Sequence, residues 1–536
     1  MSEHTERMNN RLLRRVDWRY LVSDLSPHTS VCFNHGLLSD AVQAISTVVV
    51  PPDNLKPAEC DLAVAVNPSA SVLRKAWQGL KPGGYFYSEW YLPGLDRVSR
   101  IRARLEAAGF TSISSYWPWP FLAVASPLFW LPLDAPQALD YFLTSRHGST
   151  QPLKLLGRKM LFLLWKVLFH TDLLVPLSVV ARKESPQLDF ASVSISAEHP
   201  MKDQWSAISP QGSNFLMWTG GHRSINKVIL YQFLSGEKLP SLVIKLPRTP
   251  EASLSLVHEA HVLTALHSRY PEAATRAPQV LFTHELVDMH ALAETPLFGQ
   301  PLYSVMQPDN ALQLALDVAT WLADLVEKDQ PPNPRSEWWD ELVEPVLHDF
   351  ENAFSSVLDV SAILNIREIL NRLPDLPGAF EHRDCSPWNL LVTDRGELAV
   401  LDWESAKPDG LPALDLFYFL AYLGFFLDGA MQNGKLIHSF RKAFDPRTFM
   451  GELYLACTER YIERTGLDPS SLAPLRLLAW LVHSRSEVRR LFEDSNREPR
   501  PEDLRHSLFY NLVLEEVARQ VELPDHPLPV PVTSHM

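Results

Sequence analysis

One stretch of 23 residues limits what this chain can fold into more than any other: Phe380–Asp402, FEHRDCSPWNLLVTDRGELAVLD. His382, Arg383 and Asp384 are followed by four residues and then Asn389, the H-x-D-x(4)-N spacing of a catalytic loop. Two short apolar runs enclose a turn at Asp394-Arg395-Gly396, and the hairpin they predict ends at Asp402. Moving a phosphoryl group leaves a protein mainly positioning and charge neutralisation to supply: one carboxylate beside the acceptor hydroxyl, and oxygen ligands for a magnesium ion. Asp384 suits the first role. Asn389 and Asp402, brought together by loop and hairpin, suit the second.

The rest of the chain divides by pattern. Residues 29–185 alternate short β-branched runs (SVCFN at 30–34, TVVV at 47–50, DLAVAV at 61–66) with helical stretches at 39–45 and 71–80, which predicts a parallel sheet of Rossmann type. From about residue 195 the runs at 214–218, 226–233 and 242–246 are joined by short turns and predict an antiparallel meander. A helix over 250–270 and two strands, at 279–283 and 289–294, follow; beyond 305 helical periodicity dominates. The expected fold is therefore α/β plus α+β and multidomain: a shortened Rossmann-like domain at 1–190 with a helical insertion at 121–176, a β-rich lobe at 191–300, a helical lobe at 301–522 and a flexible tail at 523–536.

With these pieces in order, the segment over roughly 195–520 resembles the aminoglycoside phosphotransferase and choline kinase-like enzymes, which have a bilobal protein-kinase-like fold. The resemblance implies ATP and Mg²⁺ as cofactors and a hydroxyl of a small molecule or carbohydrate as acceptor. It implies that Lys245, in SLVIKLP, holds phosphates and is fixed by Glu259 on the next helix. The turn carrying Gly220, Gly221 and Ser224 would cover the phosphates with backbone N–H groups. Glu294–Leu297 (ETPL) would be the hinge against adenine, with Glu294 and Leu297 at its ends. Asp384 would be the catalytic carboxylate, Asn389 and Asp402 the metal ligands, and Asp415 a brace behind the loop. His382 reads as a packing residue, Arg383 as the partner of a carboxylate and Cys385 as inert. DWE stands where a protein kinase has DFG, and no long activation segment follows, which favours a small-molecule or glycan kinase. Glu404, Asp409 and Asp415 would suit a cationic acceptor; Phe417, Tyr418, Tyr422, Phe425 and Trp480 would suit a sugar.

Residues 29–185 resemble class I S-adenosylmethionine-dependent methyltransferases through LRKAWQGLKPGGYFYSEW (73–90), RLEAAGFTSISSYWPWP (104–120) and a last strand in SVVARK (178–183). The glycine-rich turn that lets a backbone approach the cofactor is missing: NHGLLS at 34–39 has one glycine. About ten residues separate the second strand from DLAVAV, too few for a helix, a strand and another helix. A degenerate domain that does not bind S-adenosylmethionine is expected. Within the insertion, PLKLLGRKMLFLLWKVLFH at 152–170 is apolar around most of a helical wheel with its basic residues on one arc. It reads either as a buried helix or as a peripheral contact with anionic lipid.

Composition narrows the partners. With 49 Lys+Arg against 63 Asp+Glu the net charge is −14, which argues against general nucleic-acid binding. Four scattered cysteines make neither a disulfide framework nor a cysteine zinc site. No apolar leader is visible, and a cytoplasmic protein is expected. Two alternatives stay open beside the kinase: a non-catalytic nucleotide-binding scaffold, and a bifunctional methyltransferase–kinase acting on a glycan.

Overall fold

The structure is a computed structural model that describes residues 12–22, 26–91, 97–119, 127–145, 176–184, 215–220, 226–234, 236–286, 289–328, 330–495 and 497–522. It divides into two units, one of residues 1–260 and 280–296, the other of residues 261–279 and 297–536. The expected helix at 152–170, the tail from 523, and Gly221 and Ser224 lie outside the described residues.

In the first unit the β-branched runs form parallel strands β1 (Thr29–Cys32), β2 (Val48–Val49), β3 (Cys60–Val66) and β4 (Leu80–Trp90), in spatial order β2-β1-β3-β4. Helix α1 (Leu37–Ile45) links β1 to β2, and α2 (Ala70–Gly79) links β3 to β4. Ser69 caps α2 by accepting from the Val72 N–H at 3.3 Å. α2 ends at Gly79, close to the end expected for the helical stretch at 71–80, and β4 starts at Leu80 and carries KPGG within it. Beyond β4, strand β7 (Leu177–Arg182) runs antiparallel between β4 and β5 (Thr111–Trp119).

The insertion departs from expectation. It was expected to be helical, but it contributes a strand, β6 (Phe129–Pro132), before the helix at Pro136–Ser145. Four apolar residues carry no period that separates strand from helix, and here pairing decides. β6 lies antiparallel to β5 on one side and to β8 (Phe215–Trp218) on the other, with Phe129 opposite Trp218. β8 then leads into the meander β9 (Val228–Gln232) and β10 (Leu242–Leu246), followed by β12 (Met289–Glu294) and, at the edge, β11 (Val280–Leu286). The stretches expected as separate N-terminal domain and β-rich lobe thus share one twelve-stranded sheet. Apolar side chains from both stretches mix on each face: Leu216 and Phe233 join Phe86, Trp117 and Leu131 on one, and Met217 and Ile244 join Tyr87, Tyr116 and Trp130 on the other.

The 12–22 segment packs on the second face. Trp18 stacks on Tyr87 with ring centroids 3.9 Å apart. Arg15 meets the buried Glu89 at 2.5 Å, and Asp17 holds the Arg248 guanidinium at 2.9 Å.

The second unit is mainly helical. Around α4 (Ala311–Ala323), α5 (Leu414–Leu427), α6 (Phe449–Thr465), α7 (Leu472–Ser495) and α8 (Leu508–Glu522) it sets two small sheets, β13 (Gln300–Pro301) with β15 (Leu390–Val392) and β16 (Leu398–Val400), and β14 (Ala379–Glu381) with β17 (Lys407–Gly410); α3 (Pro250–Arg269) contributes to both units. α5, LDLFYFLAYLGFFL, is apolar on every side and is buried accordingly, including Asp415. Among the described residues no helix is long and apolar enough to cross a membrane.

Candidate active site

The loop between β14 and β15 is fixed from behind by a carboxylate. Asp415, in the first turn of α5, accepts the His382 N–H at 2.6 Å and the Arg383 N–H at 2.8 Å with its two oxygens. These bonds hold Arg383 in the left-handed region, φ 64°, a conformation that costs a non-glycine residue roughly 1–2 kcal/mol. Burial pushes the Asp415 carboxyl up to about 7, Glu381 adding to it, while the two N–H donors oppose the shift. The His382 ring sits edge-on to Trp403 and bonds the Leu401 carbonyl at 2.9 Å. Arg383 donates to Glu381 at 2.7 Å, and the other Glu381 oxygen takes the Leu411 N–H at 2.7 Å. Glycine at 410 is required here, because a Cβ would fall 2.1 Å from the Glu381 carboxylate.

On this support stands Asp384. One carboxylate oxygen accepts the Tyr418 hydroxyl at 3.1 Å, and the other accepts the Asn389 amide at 2.8 Å. Burial outweighs these donors and pushes Asp384 up to about 6. The Asn389 amide nitrogen also reaches the Asp384 carbonyl at 2.9 Å, so its side-chain oxygen points away from the loop. The Asn389 carbonyl takes the Leu401 N–H at 2.8 Å, which places Asp402, itself at φ 67°, next to Asn389 across the hairpin. Cys385 is buried and its thiol is raised well above the usual range by burial, so it stays protonated.

In the first unit, strand alternation puts Lys245 and Glu294 on one face, since Glu294 lies opposite Val243. The Lys245 ammonium meets Glu259 at 2.6 Å and Glu294 at 3.0 Å, and Lys227 lies 3.6 Å from the second Glu259 oxygen. Burial pushes the Glu294 carboxyl up, Lys245 pulling the other way. The expected hinge thus has its first residue turned onto the lysine, while Leu297 is half-buried in the irregular stretch after β12. Of the glycine turn, Gly220 is described: a Cβ there would come within 2.7 Å of the Trp218 ring.

Residues 230–451 match the model of the phosphotransferase enzyme family. No curated protein matches the chain. Among solved structures, a choline/ethanolamine kinase family protein from Mesorhizobium loti is 15% identical, with 58% of this chain and 88% of that chain covered and a TM-score of 0.34. A thermostable mutant of aminoglycoside phosphotransferase APH(4)-Ia, in ternary complex with ADP and hygromycin B, is 15% identical over 59% and 99% of the two chains, with a TM-score of 0.37. Aminoglycoside phosphotransferase APH(3'')-Id from Streptomyces rimosus, in complex with ADP and streptomycin, is 12% identical over 48% and 90%, with a TM-score of 0.30.

Within the second unit the structure also redistributes several residues. Tyr418, expected only as an acceptor-facing aromatic, bonds Asp384 itself; it stands three residues beyond Asp415 on one helix, an i,i+3 spacing visible in the sequence. Asp415 is spent on the loop backbone and is not left to meet an acceptor, while Asp409, its side chain 82% exposed, pairs through one oxygen with Arg269 at 2.7 Å. Phe417, Phe425 and Trp480 are core residues. Trp388, inside the loop and not anticipated, is 41% exposed and sits edge-on to Tyr422 at 5.0 Å.

Proposed function

We propose that the chain is an ATP- and Mg²⁺-dependent phosphotransferase acting on a hydroxyl of a small molecule or sugar. The observation that carries this reading is the state of Asp384 within the family-matched segment: a buried carboxylate held at both oxygens by Tyr418 and Asn389, on a loop braced by Asp415. A carboxyl near 6 is ionised at neutral pH yet basic enough to take the acceptor proton as the oxygen attacks the γ-phosphorus and the bond to ADP breaks. Lys245, fixed by Glu259, is assigned the phosphates. Its present hold on Glu294 means that a nucleotide competes with that carboxylate.

The donor set fits a hard cation. The Asn389 amide nitrogen is the atom turned to Asp384, which leaves its side-chain oxygen for a cation, and Asp402 follows Leu401, whose N–H bonds the Asn389 carbonyl. Among the described residues no three His, Cys, Asp or Glu side chains converge as a metal site, so a cation held by Asn389 and Asp402 would complete its oxygen shell from phosphate and water. Bound there, Mg²⁺ would neutralise phosphate charge.

The N-terminal half is read as a degenerate methyltransferase-like domain. In support, the turn after β1 holds one glycine, Gly36, and the β2–β3 connection holds only a single 3-10 turn, Pro52–Asn54. Acceptor-dependent ADP release tests the main proposal. Asp384→Ala is expected to lower it by about 10³-fold or more, with thermal melting still cooperative. ADP release that survives the substitution would overturn it.

A further inference from the structure

Resting on the phosphotransferase reading, we propose that the acceptor is an anionic sugar or polyol, its carboxylate or phosphate taken by Arg490 and its ring set against Trp388. The placement of Arg490 follows from α7. His483 on that helix stacks on Tyr418 at 3.9 Å, and Tyr418 is the residue that bonds Asp384. Glu487 and Arg490 follow four and seven residues later, so the three share one helical face. Glu487 is fully committed to the start of α8, accepting the Ser507 hydroxyl at 2.5 Å and the N–H groups of Leu508 at 2.8 Å and Phe509 at 2.9 Å. Arg490 is half-buried and makes no hydrogen bond or ion pair with any described residue. Among the described residues Arg490 thus has no hydrogen-bonded anion, and its charge is felt at Asp384.

The surrounding field agrees. The Arg490 charge pulls down the carboxyl of Asp384 and the hydroxyls of Tyr418 and Tyr422. His483, lowered to about 3 by burial first and then by Arg383 and Arg490, is neutral and adds no competing charge. A cationic acceptor would need carboxylates, and of the three that the sequence offered Asp415 is taken by the loop backbone and Asp409 is already neutralised in part by Arg269. Glu404 is the acid whose charge acts on Asp384. Trp388, 41% exposed, supplies a flat apolar surface on which sugar C–H groups pack, and the buried Tyr422 and Tyr418 rings, 4.7 Å apart, back it.

The test is ADP release by the full chain with a matched panel: glucuronate, a hexose phosphate, glucose, kanamycin and choline. The expected result is a kcat/KM for one of the anionic sugars at least about tenfold above that for glucose, with kanamycin and choline inert. Glucuronate against the hexose phosphate shows which anion the site takes. At pH 8, where Asp384 stays ionised without the Arg490 charge, Arg490→Met should then lower kcat/KM for that anionic acceptor about 10–100-fold, mainly through KM, while glucose changes less than about threefold; Arg490→Lys should recover part of the loss. Thermal melting of each variant reports that it is folded. Turnover confined to neutral or cationic acceptors, or an Arg490→Met loss equal for glucose and the anionic sugar, overturns the anionic assignment alone. If no acceptor of any charge gives ADP release that depends on Asp384, the phosphotransferase reading falls, and this one with it.

Discussion

At the scale of single residues, Asp384 is caught between burial, which raises its carboxyl, and two hydrogen-bond donors, which oppose the rise. Acting as a base, it must be ionised, so activity should fall as pH drops through about 6, tenfold per unit below that. Removing the Tyr418 hydroxyl removes a bond to the charged form, and one to a charged group is worth about 1.5–3 kcal/mol. Tyr418→Phe is therefore expected to move the acid limb upward by about 1–2 pH units, read from the pH profile of kcat. Lys245 poses the converse case. Two carboxylates share it, and Glu294 has one oxygen with no hydrogen-bond partner among the described residues. Glu294→Gln takes away the competing charge while keeping the shape, so nucleotide affinity measured by calorimetry should rise, about 3–10-fold. The Lys245–Glu259 pair and the loop spacing were legible because each is a local pattern on one element or between neighbours. The second carboxylate was not, because only the register of β10 on β12 brings it round.

At the scale of elements, the helical unit is organised by buried charge as much as by apolar periodicity. Arg476 on α7 and Glu516 on α8 meet in two bonds of 2.7 and 2.6 Å, both almost wholly buried, with the Tyr454 hydroxyl from α6 at 2.8 Å. Gln520 adds a donor to Glu516 at 2.7 Å. Breaking such a pair strands a charge in the interior. Glu516→Ala should cost about 3–5 kcal/mol in urea unfolding, whereas the double change Arg476→Met with Glu516→Leu should cost far less, since no lone charge remains. The helices themselves were readable from pattern, but this pairing was not: a charged residue on a helix predicts a solvated face, and Arg476 and Glu516 stand 40 positions apart. β6 was hidden for a different reason. FWLP at 129–132 is too short to show a period, and its strand identity comes from partners on both sides, one of them more than 80 residues later in the chain.

At the scale of the whole chain, the sequence suggested a kinase-like body that could stand apart from residues 1–190, and the first unit is built otherwise. β8 pairs with β6, and the turn that follows β8 is moored to the same stretch: the Thr219 N–H donates to the Leu128 carbonyl at 2.8 Å and its hydroxyl to Pro127 at 2.9 Å. Arg248 spans the junction, donating to the Thr219 carbonyl at 2.9 Å while Asp17 neutralises it. The Tyr20 hydroxyl donates to the Pro247 carbonyl. A fragment of residues 191–536 would therefore leave β8 with a bare apolar edge and Arg248 buried without its anion. An unpaired edge of that kind is a template for aggregation, and the lone charge alone is worth about 3–5 kcal/mol, a large share of the stability of an ordinary domain. The fragment is expected to elute as aggregate on size exclusion and to lack a cooperative melt, and Asp17→Ala in the full chain should lower the melting temperature by several degrees, about 2–4 °C for each kcal/mol lost. A monomeric, cooperatively melting fragment would mean that the shared sheet is an embellishment; an aggregated one would mean that the strands around Lys245 need the first 190 residues to fold against.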